Sequence, residues 1–331
     1  MNALITGGAG FIGSHLAEAL LGKGDRVTIV DDLSTGQKEN ISHIKSDNSL
    51  SFVKGTILDE KLMNELIENS DVIYHLAAAV GVKFVIDNPI RSIETNVNRT
   101  DIVVRAASKK KKRVFLASTS EVYGKTENGL FEEDSDRIVG STTIGRWSYS
   151  CSKALDEFLC LAYHRERGLS VIIGRLFNTC GPKQTGKYGM VIPRFVKQAL
   201  SSQPVTVYGD GKQTRSFCYV GDTIRAIIGL VEEPKATGEI FNIGSEEATT
   251  IENLAGKVVK LTGSKSEIIH IPYEKAYERG FEDMRHRVPD TSRIRNLIGY
   301  NPRYNLDMIL KEVIEVTTQV GTKAQSGKGT E

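Results

Sequence analysis

Short apolar runs alternate with amphipathic stretches through the first half of the chain. Residues 3–6 form the first run, followed by a glycine-rich turn and an amphipathic stretch over 14–22. Further apolar or β-branched runs lie at 26–30, 52–53, 72–76, 114–117 and 171–174, with helix-like segments between them. Near-continuous apolar strands alternating with helices predict a parallel sheet covered on both faces, the doubly wound α/β arrangement. Beyond about residue 174 the alternation loosens. A loop rich in Gly, Lys and Gln over 181–189 precedes a predicted helix over 192–200, a strand over 205–208 and the turn Gly209-Asp210-Gly211. Helical patterns return near 222–232, 250–261 and 306–316. The expected organisation is a sheet domain over 1–174, with a return segment near 216–243, and a smaller α+β domain over 175–320. Residues 321–331, small and polar, read as a flexible tail.

Composition narrows the classes. The 331 residues carry 43 Lys and Arg against 41 Asp and Glu, a net charge of +2, so no global electrostatic case exists for nucleic acid or a membrane surface. No apolar run approaches the ~18 residues of a membrane span, and residues 1–6 read as a strand, not as a signal peptide. Cys151, Cys160, Cys180 and Cys218 have neither metal-ligand spacing nor the density of a disulfide scaffold. The expectation is a reduced, cytoplasmic enzyme without a metal. The basic run Lys109 to Arg113 falls where a helix ends and turns through solvent, a place that suits cations.

The candidate chemistry begins at Thr6-Gly7-Gly8-Ala9-Gly10-Phe11-Ile12-Gly13, between a predicted strand and a predicted helix. Glycines there allow a tight turn and let backbone approach a pyrophosphate, whose charge meets the helix N-terminus. Asp31, at the end of the second strand, can accept hydrogen bonds from ribose hydroxyls and repel a 2′-phosphate. No basic residue immediately follows it, which favours NAD over NADP. In Tyr149-Ser150-Cys151-Ser152-Lys153 a phenol and an ammonium stand one helical turn apart on one face. A phenol with a pKa of about 10 is a poor base at neutral pH. A fixed ammonium and the positive nicotinamide would favour the phenolate and make Tyr149 a usable base.

The spacing of Gly7, Gly10 and Gly13, with His75-Leu76-Ala77-Ala78, Asn96-Val97-Asn98 and Arg175-Leu176-Phe177-Asn178, resembles the extended short-chain dehydrogenase/reductases. These act on nucleotide sugars as epimerases, dehydratases and decarboxylases, and the resemblance covers about residues 1 to 318. It implies NAD contacts from Gly7, Gly10, Phe11, Ile12, Gly13, Asp31, Ile57, Leu76, Ala77, Ala78, Asn96, Tyr149 and Lys153. Thr56 departs from the family, which usually carries an Asp there near the adenine; Asp59 or the backbone would take over that contact. The resemblance also implies that Lys153 hydrogen-bonds the nicotinamide ribose and that Thr119 shares the substrate 4-hydroxyl proton with Tyr149. Substrate contacts are implied for Thr119, Ser120, Tyr149, Asn178, Arg287 and Arg215, the last as a pyrophosphate clamp.

Glu121 separates the possible reactions. Sugar 4-epimerases of this branch usually carry a small residue there, whereas decarboxylases and dehydratases carry Glu. Arg287, in Arg285-His286-Arg287-Val288-Pro289-Asp290, resembles the arginine of UDP-glucuronate decarboxylases. Gly145-Arg146-Trp147-Ser148-Tyr149 is similar to a stretch of the bacterial decarboxylase of lipid A aminoarabinose synthesis and of plant apiose synthase. The resemblance implies NAD-dependent decarboxylation of UDP-glucuronate to UDP-xylose through a 4-keto intermediate. Glu121 would turn the substrate carboxylate away from an ion pair, Arg287 or a water it holds would protonate C5, and the ketone would serve as electron sink in place of a metal. The main alternative is a 4-epimerase on UDP-glucose or UDP-glucuronate, for which the segment 186–193 speaks. A 4,6-dehydratase with Glu121 as C5 base and an inactive dinucleotide-binding sensor complete the field. The family further implies a homodimer, formed through helices over 149–161 and 97–107 with apolar outer positions such as Leu159 and Val103.

Overall fold

The structure is a computed structural model, and it describes residues 1–78, 85, 87–125, 129–186, 190–276 and 282–326. Its main sheet has strands β1 (Asn2–Thr6), β2 (Arg26–Asp31), β3 (Leu50–Lys54), β4 (Val72–His75), β5 (Arg113–Thr119), β6 (Val171–Leu176) and β7 (Ile240–Ile243). Their spatial order is β7-β6-β5-β4-β1-β2-β3, with every pairing parallel. The longer helices are α1 (Phe11–Gly22), α2 (Glu60–Glu68), α3 (Pro89–Lys109), α4 (Trp147–Arg167), α5 (Val191–Leu200), α6 (Val220–Glu232), α7 (Ile251–Thr262) and α8 (Leu306–Ser326).

The period of two along each strand decides which helices it meets. Leu4, Ile73, Val114, Leu116 and Ile173 share one face, packed with Met63 and Ile67 of α2, Val103 and Ala107 of α3, and Cys160 of α4. The alternate residues Ile5, Tyr74, Phe115 and Ile172 are buried on the other face with Leu16 and Leu20 of α1 and Ile224, Ile227 and Leu230 of α6. Each such side chain taken from water contributes roughly 1.5–3 kcal/mol, and the polar residues of these strands fall mostly at their ends.

The chain leaves the sheet after β6 and returns to it through α6 and β7. Between and beyond these elements lies a second core. There Phe195 and Val196 of α5, Val205 and Val207, Leu254 and Val258 of α7, and Ile309 and Leu310 of α8 pack together. The strand Val205–Tyr208 pairs in parallel with Ile268–Ile271.

Some expectations need correction. Val103 is fully buried in the sheet core, and Leu159 packs against that core. The exposed apolar residues of α3 and α4 are instead Ile90, Ile93, Leu155 and Phe158. The last helix does not stop at 316 but runs to Ser326. The Thr317 and Thr318 hydroxyls bond the Val313 and Ile314 carbonyls (2.6 and 2.9 Å), satisfying themselves inside the helix. The rest of the expected tail, 327–331, lies outside the described residues. The basic run serves the fold: Lys110 pairs with Glu68, and Arg113 donates to the Val231 carbonyl at 2.6 Å.

Candidate active site

A cleft of about 480 Å³ opens along the C-terminal ends of the strands, between the sheet and the smaller unit. That is the size of a small-molecule site, at the usual place for one in such sheets.

One end is the glycine turn. The Gly7 amide donates to the Val30 carbonyl at 2.9 Å, and Gly7 has φ of +72°, a backbone state that side chains disfavour. A Cβ at Gly13 would stand 2.4 Å from the Gly7 carbonyl oxygen and 2.7 Å from Gly8 Cα, so helix and turn touch backbone to backbone. Gly10 caps α1 without a side-chain bond, and the first turn holds no acidic residue. Gly7, Gly10, Phe11, Ile12 and Gly13 all line the cleft, where the helix N-terminus offers its amides to an anion.

Asp31 has both carboxylate oxygens held by backbone. Oδ2 accepts from the Ala9 amide (2.9 Å) and Oδ1 from the Leu33 amide (2.8 Å). Burial raises its pKa against the pull of those amides. Ile57, Leu76, Ala77 and Ala78 continue the same wall. The Ala77 amide donates to the Thr6 hydroxyl (3.3 Å), which also meets His75 Nδ1 (2.9 Å). Burial pushes the His75 pKa down to about 3, so the ring is neutral. A side-chain-free cradle, a helix N-terminus and a carboxylate at the end of β2 fit a dinucleotide.

Two expected contacts lie elsewhere. Asn96 is buried and donates to Ser152 Oγ at 3.2 Å; it does not line the cleft, because its place on α3 faces α4. Asp59 does not line the cleft; its Oδ1 caps α2, accepting from the Leu62 amide at 3.0 Å.

The other end of the cleft is built where β5 ends. The Thr119 hydroxyl accepts from the Glu121 amide at 3.2 Å and opens the short turn Ser120–Tyr123. Thr119, Ser120, Glu121 and Tyr149 all line the cleft, and the Thr119 hydroxyl bears on Tyr149 by lowering a phenol pKa that burial raises more. Burial, and after it the Glu121 carboxylate, raise the Tyr149 pKa above its ordinary value. Lys153 does not offset them. Its ammonium donates to Asp156 Oδ2 at 2.7 Å, both groups are buried, and Lys153 does not line the cleft. Asp156, three residues ahead on the same helix, answers the ammonium in place of the phenol four residues behind.

Glu121 sits between two guanidiniums. Arg146 Nη2 donates to both carboxylate oxygens (3.1 and 3.4 Å), and Arg287 Nη1 donates to Oε1. Burial alone would raise the Glu121 pKa; the two arginines outweigh it and hold the group below the ordinary carboxylate range. Arg146 also reaches Asp283 Oδ1 (3.0 Å), an atom it shares with Arg215 (2.9 Å), and the Tyr273 hydroxyl donates to Oδ2 (3.0 Å). Despite its burial, Asp283 has its pKa drawn down to about 2 by these arginines. Burial pushes that of Arg215 down to about 10, which leaves it charged at neutral pH.

Backbone pairing brings the distant arginines together. His286–Arg287 runs parallel to Thr214–Ser216 and sets Arg287 opposite Arg215. Arg287 Nη2 donates to Asn178 Oδ1, and Asn178 Nδ2 donates to the Ser216 carbonyl at 2.6 Å. Three guanidiniums against two carboxylates leave this cluster one net positive charge, suited to an anionic substrate.

Arg146, Asp283, Tyr273 and Arg99 line the cleft, yet sequence reasoning assigns none of them a role. Arg146 left a signal, standing three residues before Tyr149 and so on its face of the helix. The others reach the site through tertiary structure alone.

Residues 4–313 match the family model described as GDP-mannose 4,6 dehydratase. The chain is 46% identical over 313 residues to a UDP-N-acetyl-alpha-D-glucosaminuronate decarboxylase of Bacillus cytotoxicus, covering 94% of this chain and 96% of that protein. It is 37% identical over 309 residues to UDP-glucuronic acid decarboxylase 3 of Arabidopsis thaliana, covering 92% of this chain and 86% of that one. A solved UDP-glucuronic acid 4-epimerase from Bacillus cereus, in complex with UDP-glucuronic acid and NAD, superposes with a TM-score of 0.87 at 29% identity, covering 97% of this chain and 100% of that one. The chain is an enzyme with the extended short-chain dehydrogenase/reductase fold, and it belongs to the GDP-mannose 4,6 dehydratase family.

Proposed function

We propose that the chain is an NAD-dependent decarboxylase of a UDP-linked hexuronate, turning UDP-glucuronate into UDP-xylose through a 4-keto sugar. The observation that carries this reading is Glu121, charged and gripped by Arg146 and Arg287 beside Tyr149 and Thr119. Held at the glycine turn, Asp31, Ile57 and residues 76–78, NAD supplies the acceptor and donor of the C4 hydride and, when oxidised, a positive charge that favours the Tyr149 phenolate.

Tyr149 takes the 4-hydroxyl proton, with Thr119 sharing it, and gives the proton back when the 4-hydroxyl reforms. A ketone at C4 is β to the C6 carboxylate, so the bond to carbon dioxide breaks and its electrons settle in an enolate. Glu121 keeps both guanidiniums occupied. The substrate carboxylate therefore meets a carboxylate rather than a free arginine, and its ground state gains no ion pair. The enolate takes its C5 proton from Arg287 or from a water that Arg287 holds, and solvent then restores the proton to whichever group gave it. Arg215 and Asn178 take the diphosphate.

Glu121 as found is a poor C5 base, because two arginines stabilise its ionised form, and this disfavours a 4,6-dehydratase. A second reading concerns the sugar alone. The 46%-identical relative is named for the 2-acetamido uronate, so UDP-N-acetylglucosaminuronate is the other substrate to offer. Helices α3 and α4 pack together and expose Ile90, Ile93, Leu155 and Phe158, which supports a homodimer. The free cysteines suit a reducing cytoplasm.

The test is to incubate the protein with NAD and each UDP-uronate, following products by proton NMR and carbon dioxide release. UDP-xylose, or its 2-acetamido counterpart, appearing with carbon dioxide sustains the reading. UDP-galacturonate without carbon dioxide overturns it in favour of an epimerase.

A further inference from the structure

The adenosine end of the cleft holds a charge pair contributed by two distant parts of the chain. Asp32 follows Asp31 at the end of β2, and Arg99 reaches it from midway along α3. Arg99 Nη2 donates to Asp32 Oδ2 at 2.9 Å, and both residues line the cleft with Asp31. The side chain of Arg99 is 11% exposed and that of Asp32 27%. Arg99 Nε is buried without a hydrogen-bond partner among the described residues. A guanidinium taken this far out of water needs an anion beside it, and Asp32 is that anion.

The pair bears on cofactor choice. Asp31 disfavours a ribose 2′-phosphate by repulsion, as an acid at the end of this strand does. Yet the field of Arg99 reaches Asp31 too, lowering a pKa that burial raises more. A cation so close to that carboxylate is what a 2′-phosphate would seek. As it stands, two acids and one base leave this wall one net negative charge. Without Asp32 the wall would be neutral and its cation unpaired.

We propose that Asp32 sets cofactor choice by occupying Arg99: paired, the guanidinium is withheld from a 2′-phosphate and the site selects NAD; released, it makes the same wall a phosphate site. The preference then depends on both acids and not on Asp31 alone.

Direct binding of NAD and NADP to the whole protein tests this, by calorimetry and by the rise in unfolding temperature, with no turnover needed. The unmodified protein is expected to hold NAD at least about a hundredfold more tightly. Asp32→Asn keeps the shape and removes the charge. It should narrow the preference by roughly 10- to 150-fold, mostly through tighter NADP binding, the range that one charge-assisted hydrogen bond covers. Adding Arg99→Met to Asp32→Asn should erase that gain. If the Asn variant does not fold, Asp32→Ser carries the same comparison. An unchanged NAD-to-NADP ratio overturns the proposal. So does equal narrowing in the double variant, which would trace the effect to the charge of Asp32 itself. The proposal rests on the NAD reading of the cleft, and failure of that reading looks different: neither dinucleotide binds the unmodified protein.

Discussion

Replacing Glu121 by Gln keeps the side chain's size and removes the charge that Arg146 and Arg287 share. The cluster then moves from one net positive charge to two, and the N–H groups that Arg146 and Arg287 give to Glu121 can turn to a substrate carboxylate. One charge-assisted hydrogen bond is worth roughly 1.5–3 kcal/mol. Spent on the carboxylate before carbon dioxide leaves, that slows turnover by roughly 10- to 150-fold. KM should hold or fall, because ground-state binding has improved. The fold loses as well: Glu121 is 12% exposed, and breaking a buried pair costs roughly 3–5 kcal/mol. The pH dependence has a definite sign. The folded pKa of Glu121 lies below the unfolded value of about 4.3. Its contribution is therefore complete above that pH and is lost as pH falls through the folded pKa. The Gln variant should show a lower unfolding temperature at pH 7 and a shallower decline toward pH 3. The assay is the initial rate of carbon dioxide release against UDP-uronate concentration, with NAD saturating. An unchanged kcat, or a KM that rises while kcat holds, would refute the idea that Glu121 keeps the arginines from the substrate.

Tyr149→Phe should lower kcat by roughly 10²- to 10⁴-fold while leaving NAD affinity, read by calorimetry, within a few-fold; strong residual turnover would deny Tyr149 the proton transfer. Gly13→Ala pushes a methyl to 2.4 Å from the Gly7 carbonyl. Overpacking of that kind costs roughly 1–3 kcal/mol, and because backbone must yield, NAD binding should weaken at least about tenfold; normal binding would remove the turn from the cofactor site. Phe158→Glu, at a side chain 58% exposed on α4, should convert a dimer to a monomer in light scattering without unfolding it. A dimer that survives places the interface elsewhere.

The alternation of apolar runs was enough to anticipate the sheet, because strands buried on both faces tolerate so few polar residues. Its seventh strand is a short run, Ile240–Ile243, at the end of the return segment expected near 216–243, where no apolar run was long enough to single out a strand. Gly7, Gly13 and Asp31 were legible because local backbone geometry demands them. Helical spacing correctly put Tyr149 and Lys153 on one face, yet spacing does not rank partners, and Asp156 holds the ammonium. Asn96 shows the same limit: a side chain's direction depends on which helix packs across from it. Asp283 and Arg99 carry no local signature at all. Their meaning comes from charges brought together across 68 and 67 positions of sequence.

The late return of the chain to its main sheet has a cost during synthesis. β6 has one charged residue, Arg175, among six otherwise apolar positions, and among the described residues its outer edge is covered by β7, about 60 residues further on. At roughly 5–20 residues per second, a ribosome leaves that edge open for about 3 to 12 seconds. An unpaired apolar edge is a template for another chain. Fragments ending anywhere between β6 and β7 should therefore aggregate, and the nascent protein has reason to engage a chaperone that shields strands before Ile240 emerges.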